Sequence, residues 1–180
     1  MIYDKIIEGK FVKLRSITPE DAEFSYNLRK DPRFVEIMGQ PAKTVADQKK
    51  FIEWQMMQPG DYYFVVLNKN NEKIGLLGVY NIQNGIGETG REINIGAPNE
   101  TIEAQLLLTD FCVDILHLKT RTCVIYKKNI KQLNLLKKFK LFPKREVVRS
   151  GIASFEFEDS FEEILQVQKK ARALISEMSI

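Results

Sequence analysis

The chain has 180 residues, of which 44% are hydrophobic and 28% are charged. This composition excludes a disordered, collagen-like or low-complexity protein, and at about 150 residues per domain it predicts a single globular domain over residues 1–180. No apolar stretch approaches the about 20 residues of a membrane helix, and the first residues lack the layout of a secretory signal. We therefore expect no membrane partner and a location in the cytoplasm.

The charge is only mildly basic, with 27 Lys and Arg against 24 Asp and Glu, a net charge of +3. A nucleic-acid-binding domain is usually more basic, so we expect no nucleic-acid partner, whereas anionic small molecules remain compatible. The chain has two cysteines and one histidine. Because no Cys-x-x-Cys spacing is present, the sequence predicts neither a disulfide framework nor a metal site, and Cys112 and Cys123 are expected to be buried thiols.

The first third of the chain predicts one strand and two helices. Residues 10–15 alternate as a strand does. Thr18 and Asp21 then form a variant of the capping box with a proline at N1, which predicts a helix that ends before Pro32. Gly39 and Pro41 favour a loop after this helix. The loop and the second helix are predicted over residues 32–43 and 44–57.

The rest of the chain alternates strands and helices. Three strands separated by turns rich in Asn and Gly are predicted over residues 62–67, 73–81 and 89–96. A helix, a strand, a helix, two strands and a tail helix come next, over residues 102–116, 120–126, 130–139, 145–149, 161–167 and 169–177. This order predicts one mixed sheet with helices on both faces.

Four short motifs accompany this order of elements: LRSITPEDA at residues 14–22, LRKDP at 28–32, KIG at 73–75 and INIG at 93–96. With them, the chain resembles the GCN5-related N-acetyltransferase (GNAT) superfamily, in particular the branch of ribosomal-protein N-terminal and amino-sugar acetyltransferases, over about residues 9–168. The resemblance implies an α+β fold of three layers. Its mixed, mostly antiparallel sheet of about seven strands would be splayed between the fourth and fifth strands, at residues 89–96 and 120–126.

The resemblance also implies a reaction. An acetyl group would pass from acetyl-CoA, the co-substrate, to a primary amine by direct attack and without a metal; the amine would be a small amine, an amino-sugar nucleotide or a protein N-terminus. The pantetheine arm and the pyrophosphate would bind unpaired backbone groups and a helix N-terminus. The resemblance leaves a homodimer open. The expected cofactor-binding residues are Ile93, Asn94, Ile95, Gly96, Asn99, Glu100, Thr101, Ile102 and Asn129.

The proton-transfer groups are less determined. Glu88 and Glu92 are four residues apart, so on a strand both project from one face, where either would deprotonate the amine through a water. The alternative is that both are solvated carboxylates paired with Arg91 or a lysine. Leu136 stands where the family has the tyrosine that protonates the departing thiolate. Either Tyr126, another tyrosine or water takes this role, or the thiolate leaves without help.

Two departures from the family motivate a rival function. The phosphate-binding turn is short, lacks its glycine pair, and contains Pro98 and the acidic Glu100. A protein that kept the fold and lost catalysis would serve as an acyl-CoA-binding or protein-interaction module. In residues 127–149 a basic run offers one or two partners for the 3′-phosphate of coenzyme A and is otherwise a solvated face. Phe51 and Trp54 either line an acceptor cleft or pack their helix on the sheet.

Overall fold

The structure is a computed structural model that describes residues 1–38 and 41–179. Its described residues form one sheet in the order β1-β2-β3-β4-β5-β6-β8-β7. All neighbours are antiparallel except β5 and β6, which are parallel. The strands are β1 (Ile7–Glu8), β2 (Val12–Ser16), β3 (Tyr62–Asn68), β4 (Lys73–Gln83), β5 (Ile86–Asn94), β6 (Thr120–Tyr126), β7 (Arg145–Arg149) and β8 (Ile152–Ser160). The sequence predicted neither the two-residue strand β1 nor the position of β8.

Helices cover both faces of this sheet. On one face α1 and α3 pack through Ala22, Leu28 and Ile52, and on the other α4 and α6 pack through residues such as Ala104 and Ile164. The helices are α1 (Ala22–Lys30), α2 (Val35–Met38), α3 (Val45–Met57), α4 (Pro98–Asp110), α5 (Ile130–Lys138) and α6 (Phe161–Glu177). The predicted three-layer α+β class is confirmed. Among the described helices, none has the length and apolar character needed to cross a membrane.

A buried carboxylate ties α1 to the sheet. Asp21 accepts hydrogen bonds from the Thr18 amide at 2.9 Å and from Arg15 of β2, and it pairs with Lys73 of β4. Its side chain is 0% exposed. The two cations hold the pKa of this carboxyl far below its usual range, although burial alone would raise it. The predicted capping box is therefore present, and it also links two strands.

A second buried carboxylate ties α4 to the sheet. Glu103 accepts the amides of Lys10, Phe11 and Val12 at 2.6–2.8 Å, just where β2 begins. A Cβ on Gly9 would lie 2.6 Å from the Glu103 carboxyl carbon, so this position requires a glycine. Since α4 leads directly out of β5, this anchor also fixes the C-terminal end of β5.

The prediction at the C-terminus was wrong. Residues 161–167 begin α6 instead of forming a strand, and the last strand, β8, ends at Ser160. Ser160 caps this helix, because its hydroxyl accepts the Glu163 amide while the Glu163 carboxylate accepts the Ser160 amide. Phe161 and Ile164 bury one face of the helix at a spacing of three residues. The tail helix predicted over 169–177 is the second half of α6.

Two further boundaries differ from the prediction. The expected loop over residues 32–43 contains the short helix α2, while Gly39 and Gln40 lie outside the described residues. The helix expected over 102–116 begins earlier, at Pro98, which occupies N1 where its missing N–H costs nothing. It ends in a π-helical turn over Phe111–Ile115.

Candidate active site

The sheet opens between β5 and β6. These strands pair at only three positions, Ile86 with Thr120, Gly87 with Arg121 and Glu88 with Thr122. Beyond them β5 stays paired with β4 as far as Asn94, and β6 stays paired with β8 as far as Tyr126. The strands diverge over residues 89–94 and 123–126, so backbone groups along both inner edges lack a strand partner. The splay predicted between the strands at residues 89–96 and 120–126 is confirmed, since it lies between β5 and β6.

A cleft of about 580 Å³ lies at the open end of this gap. Its walls are the end of β5, the start of α5, and α2 with the residues that precede it. Among the described residues that line it, three are cationic and none is acidic. The lining residues are Arg33, Phe34, Ile37, Asn94, Ile95, Gly96, Lys128, Asn129, Ile130 and Lys131.

The predicted cofactor-binding residues divide into three groups. Asn94, Ile95, Gly96 and Asn129 line the cleft together. Asn99, Glu100 and Thr101 lie in the first turns of α4, outside the cleft wall. The side chains of Ile93 and Ile102 pack into the cores on opposite faces of the sheet, so they present only backbone to a ligand.

The N-terminus of α4 is already occupied by an anion of the chain itself. Glu100 accepts the Ala97 amide at 2.7 Å, and a Cβ on Gly96 would lie 2.7 Å from the same carboxylate oxygen. The Gly96 amide donates to Asn94 Oδ1 at 2.8 Å, and the Thr101 amide donates to the Ala97 carbonyl. A phosphate arriving here would meet a carboxylate and few free amides.

Asn129 has a structural role that its position in the sequence did not reveal. Its Oδ1 accepts the Gln132 amide at 3.2 Å and caps α5, while its own backbone amide donates to the Tyr126 carbonyl. Capping uses the oxygen of the side chain. The Nδ2 amide group remains to donate toward the cleft that Asn129 lines.

A β-bulge overturns the predicted placement of the two glutamates. Gly78 of β4 pairs with Gly90 of β5, but Leu76 pairs with Ile93, so β5 has one extra residue at this point. Arg91 takes up the extra length with a positive φ of 53°. The alternation of side chains shifts by one residue there, and Glu88 and Glu92 consequently face opposite sides of the sheet.

Glu88 lies on the face of α1 and α3 and is held by three side chains. Its oxygens accept from the Tyr80 hydroxyl at 3.2 Å, from Asn81 Nδ2 at 2.9 Å and from Arg149 at 2.8 Å. Arg149 reaches it from the tip of the β7–β8 hairpin, across the splayed strands. Neither of the alternatives from the sequence anticipated this partner, because residues 88 and 149 are far apart along the chain.

Glu92 lies on the opposite face, toward α4. Its Oε1 accepts from Gln105 Nε2 of that helix at 2.6 Å. Burial raises the pKa of its carboxyl, and the positive charge of Arg121 on β6 only partly opposes this. Glu92 thus has the higher affinity for a proton that a base requires, but on the side of the sheet where α4 packs.

Leu136, Tyr126 and Tyr80 are the positions to consider for the acid that would protonate the departing thiolate. Leu136 packs in a small core with Ile125 and Phe157, so it points away from the cleft. Tyr126 ends β6, and the register that pairs Glu88 with Thr122 places its side chain on the face of Glu88. Tyr80, which sequence reasoning missed, has its hydroxyl against Gly90, and burial and the charge of Glu88 raise its pKa. Both tyrosines stand beside the gap.

A second pocket, of about 370 Å³, lies on the face of the sheet that carries Glu88, α1 and α3. Arg91 enters its wall from the bulge, paired with Asp61 at 2.6 Å and stacked over the Tyr80 ring at 4.1 Å. Phe51 lines the pocket, whereas Trp54 is half exposed and does not. Of the two residues weighed for an acceptor cleft, Phe51 is thus in position. The lining residues are Arg29, Pro41, Ala42, Gln48, Phe51 and Arg91.

The two thiols are poor nucleophiles. Cys112 is buried in the core beside α4 and Cys123 is half-buried on β6, and both are unpaired. Burial raises their pKa to about 12 and about 11, respectively. The thiolate population at neutral pH is therefore negligible, and neither thiol is a candidate nucleophile.

The basic run of residues 127–149 divides into two groups by the surroundings of its side chains. Lys127, Arg145 and Arg149 pair with acidic side chains of the chain itself. Lys128 and Lys131 line the cleft and, within the described residues, have no acid within ion-pair distance. Only these two members of the run are placed to meet an anion in the cleft.

The family was identified by comparison. The family described as Acetyltransferase (GNAT) domain matches residues 12–141, well over half of the chain. A comparison with curated proteins found no match.

Solved structures show the same fold at low sequence identity. A GCN5-related N-acetyltransferase from Brucella melitensis is 17% identical, with a TM-score of 0.78, covering 96% of this chain and 86% of that one. FdhC, a nucleotide-linked sugar GNAT, is 15% identical, with a TM-score of 0.77 and coverages of 96% and 99%. Spermidine N-acetyltransferase from Vibrio cholerae in complex with CoA and spermine is 16% identical, with a TM-score of 0.72 and coverages of 86% and 98%. The extent of the family match, with the splayed sheet, establishes that this chain belongs to the GNAT acetyltransferases.

Proposed function

We propose that the protein transfers an acetyl group from acetyl-CoA to a primary amine and that the gap between β5 and β6 holds the thioester. The parting of these strands after Glu88 and Thr122 carries the proposal. It leaves main-chain donors and acceptors free in a cleft that also contains a side-chain amide and three cations. Pantetheine has two amides, and such a strand edge pairs with them as a third strand would.

The charged residues of the cleft can compensate for the shortened turn before α4 in the binding of coenzyme A. Glu100 takes the amide of Ala97, so the helix terminus contributes less than usual to binding phosphates. Lys128 and Lys131 at the start of α5, with Arg33 opposite, supply the positive charge instead. In this arrangement charged side chains replace part of the backbone cradle, and binding should depend strongly on salt.

The chemistry proceeds by direct attack. The amine nitrogen attacks the thioester carbonyl, the C–S bond breaks as the C–N bond is completed, and the nitrogen loses one proton while the thiolate gains one. Glu88 is our candidate for the base, through a water, because it shares its face with the second pocket, to which Tyr80 and Arg91 connect it. Glu92, on the opposite face, is bound to α4 through Gln105.

Tyr126 is our candidate for the acid. It ends β6 beside the cleft and shares the face of Glu88. A coenzyme A thiol has a pKa near that of cysteine, about 8.5, so its departure needs only modest help.

The test is release of the coenzyme A thiol with a panel of amines, using Glu88→Gln and Glu92→Gln in parallel. Glu88→Gln should lower kcat by about 100-fold, the lower range for a general base, whereas Glu92→Gln should retain most of the activity. Arg149→Met is the control, since it removes the same ion pair and leaves the carboxylate. Equal activity of the two glutamine variants would remove Glu88 from this role.

The second candidate function is a coenzyme-binding module without catalysis. The occupied terminus of α4 and the inward-facing Leu136 favour it. Acetyl-CoA would then bind with unchanged affinity in Glu88→Gln, and no amine would release the thiol from the native protein.

A further inference from the structure

The second pocket has an unbalanced positive charge. Arg29 of α1 and Arg91 of β5 both line it. The Arg91 guanidinium forms two hydrogen bonds with Asp61, at 2.6 and 2.9 Å. Arg29 has no acid within ion-pair distance in the part of the chain that the structure describes. Of the two guanidinium groups, only that of Arg91 is therefore paired with a carboxylate of the described residues.

The hydrogen bonds of Arg29 are also incomplete. One terminal nitrogen donates to the Tyr63 hydroxyl at 3.0 Å, and this is its only hydrogen bond within residues 1–38 and 41–179. Its Nε is buried and has no partner among those residues. Buried guanidinium groups normally have an oxyanion partner, because taking the charge out of water is costly.

Two acids on the neighbouring elements are engaged with other cations. Asp31, at the end of α1, pairs with Arg33, and Glu88 on β5 pairs with Arg149. The Tyr63 hydroxyl accepts a hydrogen bond from Arg29 and holds its guanidinium in place. The ring of the same tyrosine lies 5.4 Å from the Arg91 guanidinium. A preorganised cation therefore remains on the wall of a pocket large enough for a small molecule.

We infer that this pocket selects amines that also carry an oxyanion, a carboxylate or a phosphate, and that Arg29 binds the oxyanion. The inference deepens the proposed function and rests on it, since the pocket shares the face of Glu88 and the gap. It also separates this chain from a structural neighbour named as a spermidine N-acetyltransferase, because the uncompensated charge of Arg29 would repel a polycation.

The experiment compares amines that differ only in the anionic group. Calorimetry and ligand-observed NMR, in the presence of coenzyme A, would measure binding of glucosamine 6-phosphate against glucosamine, of serine against serinamide, and of spermidine. We expect the anionic member of at least one pair to bind at least tenfold more tightly, and the pair that responds identifies phosphate or carboxylate. Spermidine should not bind.

Arg29→Met should abolish this preference, and Arg29→Lys should retain it in weakened form, because lysine keeps the charge without the planar fork. Arg145→Met, at an exposed pair on β7, is the matched control and should have no effect. Equal affinities within both pairs, or a preference that survives Arg29→Met in a folded protein, would overturn the inference. If Arg29→Met does not fold, a weakened preference in Arg29→Lys with native melting temperature decides in its favour, and an undiminished preference in that variant decides against it.

Thiol release with the same amines keeps the two proposals apart. Binding that depends on Arg29 without turnover would leave the pocket assignment standing and refute acetyl transfer. Turnover of neutral and anionic amines at equal kcat/KM would support transfer and overturn the selectivity.

Discussion

Replacing Glu100 should tighten the binding of acetyl-CoA. The Glu100 carboxylate caps the Ala97 amide at the start of α4 and touches the Gly96 position on the cleft wall. Glu100→Gln keeps an oxygen that can accept this amide and removes the negative charge. The expected gain comes entirely from relief of repulsion with the phosphates of the coenzyme.

The magnitude is set by Coulomb's law. Two unit charges about 6 Å apart interact by about 0.7 kcal/mol in bulk water and by about 3 kcal/mol at an effective dielectric constant of 20. Glu100 is only partly buried, so the value should lie toward the aqueous end, at about 1 kcal/mol. This corresponds to about fivefold tighter binding.

Calorimetric titration with acetyl-CoA at about 50 mM and about 500 mM salt would measure the effect, which should shrink at the higher concentration. Glu163→Gln is a matched control, because Glu163 occupies N3 of α6 and accepts the N-cap amide of Ser160 in the same way. It should leave the affinity unchanged. An affinity of Glu100→Gln equal to or weaker than native would show that the phosphates do not approach α4.

Three further outcomes are expected. Asn129→Ser should preserve the cap of α5 and weaken acetyl-CoA binding by about 1–3 kcal/mol, through loss of an amide donor to pantetheine, as measured by the same titration; native affinity with a native melting temperature would exclude Asn129 from the site. Glu92→Gln should change how the free energy of unfolding depends on pH. The pKa of Glu92 is raised above its ordinary 4.5, so the folded state binds the proton more tightly than the unfolded state does. The native protein therefore loses stability as pH rises from 4.5 through the folded pKa. Denaturation at pH 5 and pH 8 should therefore show a smaller decrease for the variant than for the native protein, and identical decreases would contradict the burial of this carboxyl. Asp21→Asn should destabilise the protein by about 3 kcal/mol, since it leaves Arg15 and Lys73 without their buried counter-ion. Because the pKa of Asp21 is lowered, the stabilisation by its carboxylate is present above about pH 4 and is lost as pH falls below the ordinary pKa. The unfolding curves of the native protein and the variant should therefore converge in acid.

Local patterns predicted much of the fold. The capping box at Thr18, the hairpin turns and the strand over residues 120–126 depend on neighbours in sequence, and each is present in the structure. The two strands that part were predicted from the family resemblance. The helix over 161–177 was missed because its apolar residues fit a buried strand as well as a helix over a short stretch, and the Ser160 and Glu163 capping box was overlooked.

The site was less predictable because it depends on register and on distant partners. The bulge at Arg91 is visible only against β4, and it is what turns Glu92 away from Glu88. The partner of Glu88, Arg149, comes from the last hairpin. The uncompensated charge of Arg29 emerges only when the partners of Arg91, Asp31 and Glu88 are known together. No local pattern encodes these relations.

A crystal structure of the protein with acetyl-CoA tests the central claim most directly. We predict electron density for the pantetheine arm along the inner edge of β5 at residues 93–96, within hydrogen-bond distance of Asn129, and with the thioester between the diverging strands. Density for the coenzyme elsewhere on the surface, or closure of residues 89–94 against 123–126 into a continuous ladder, would contradict the account.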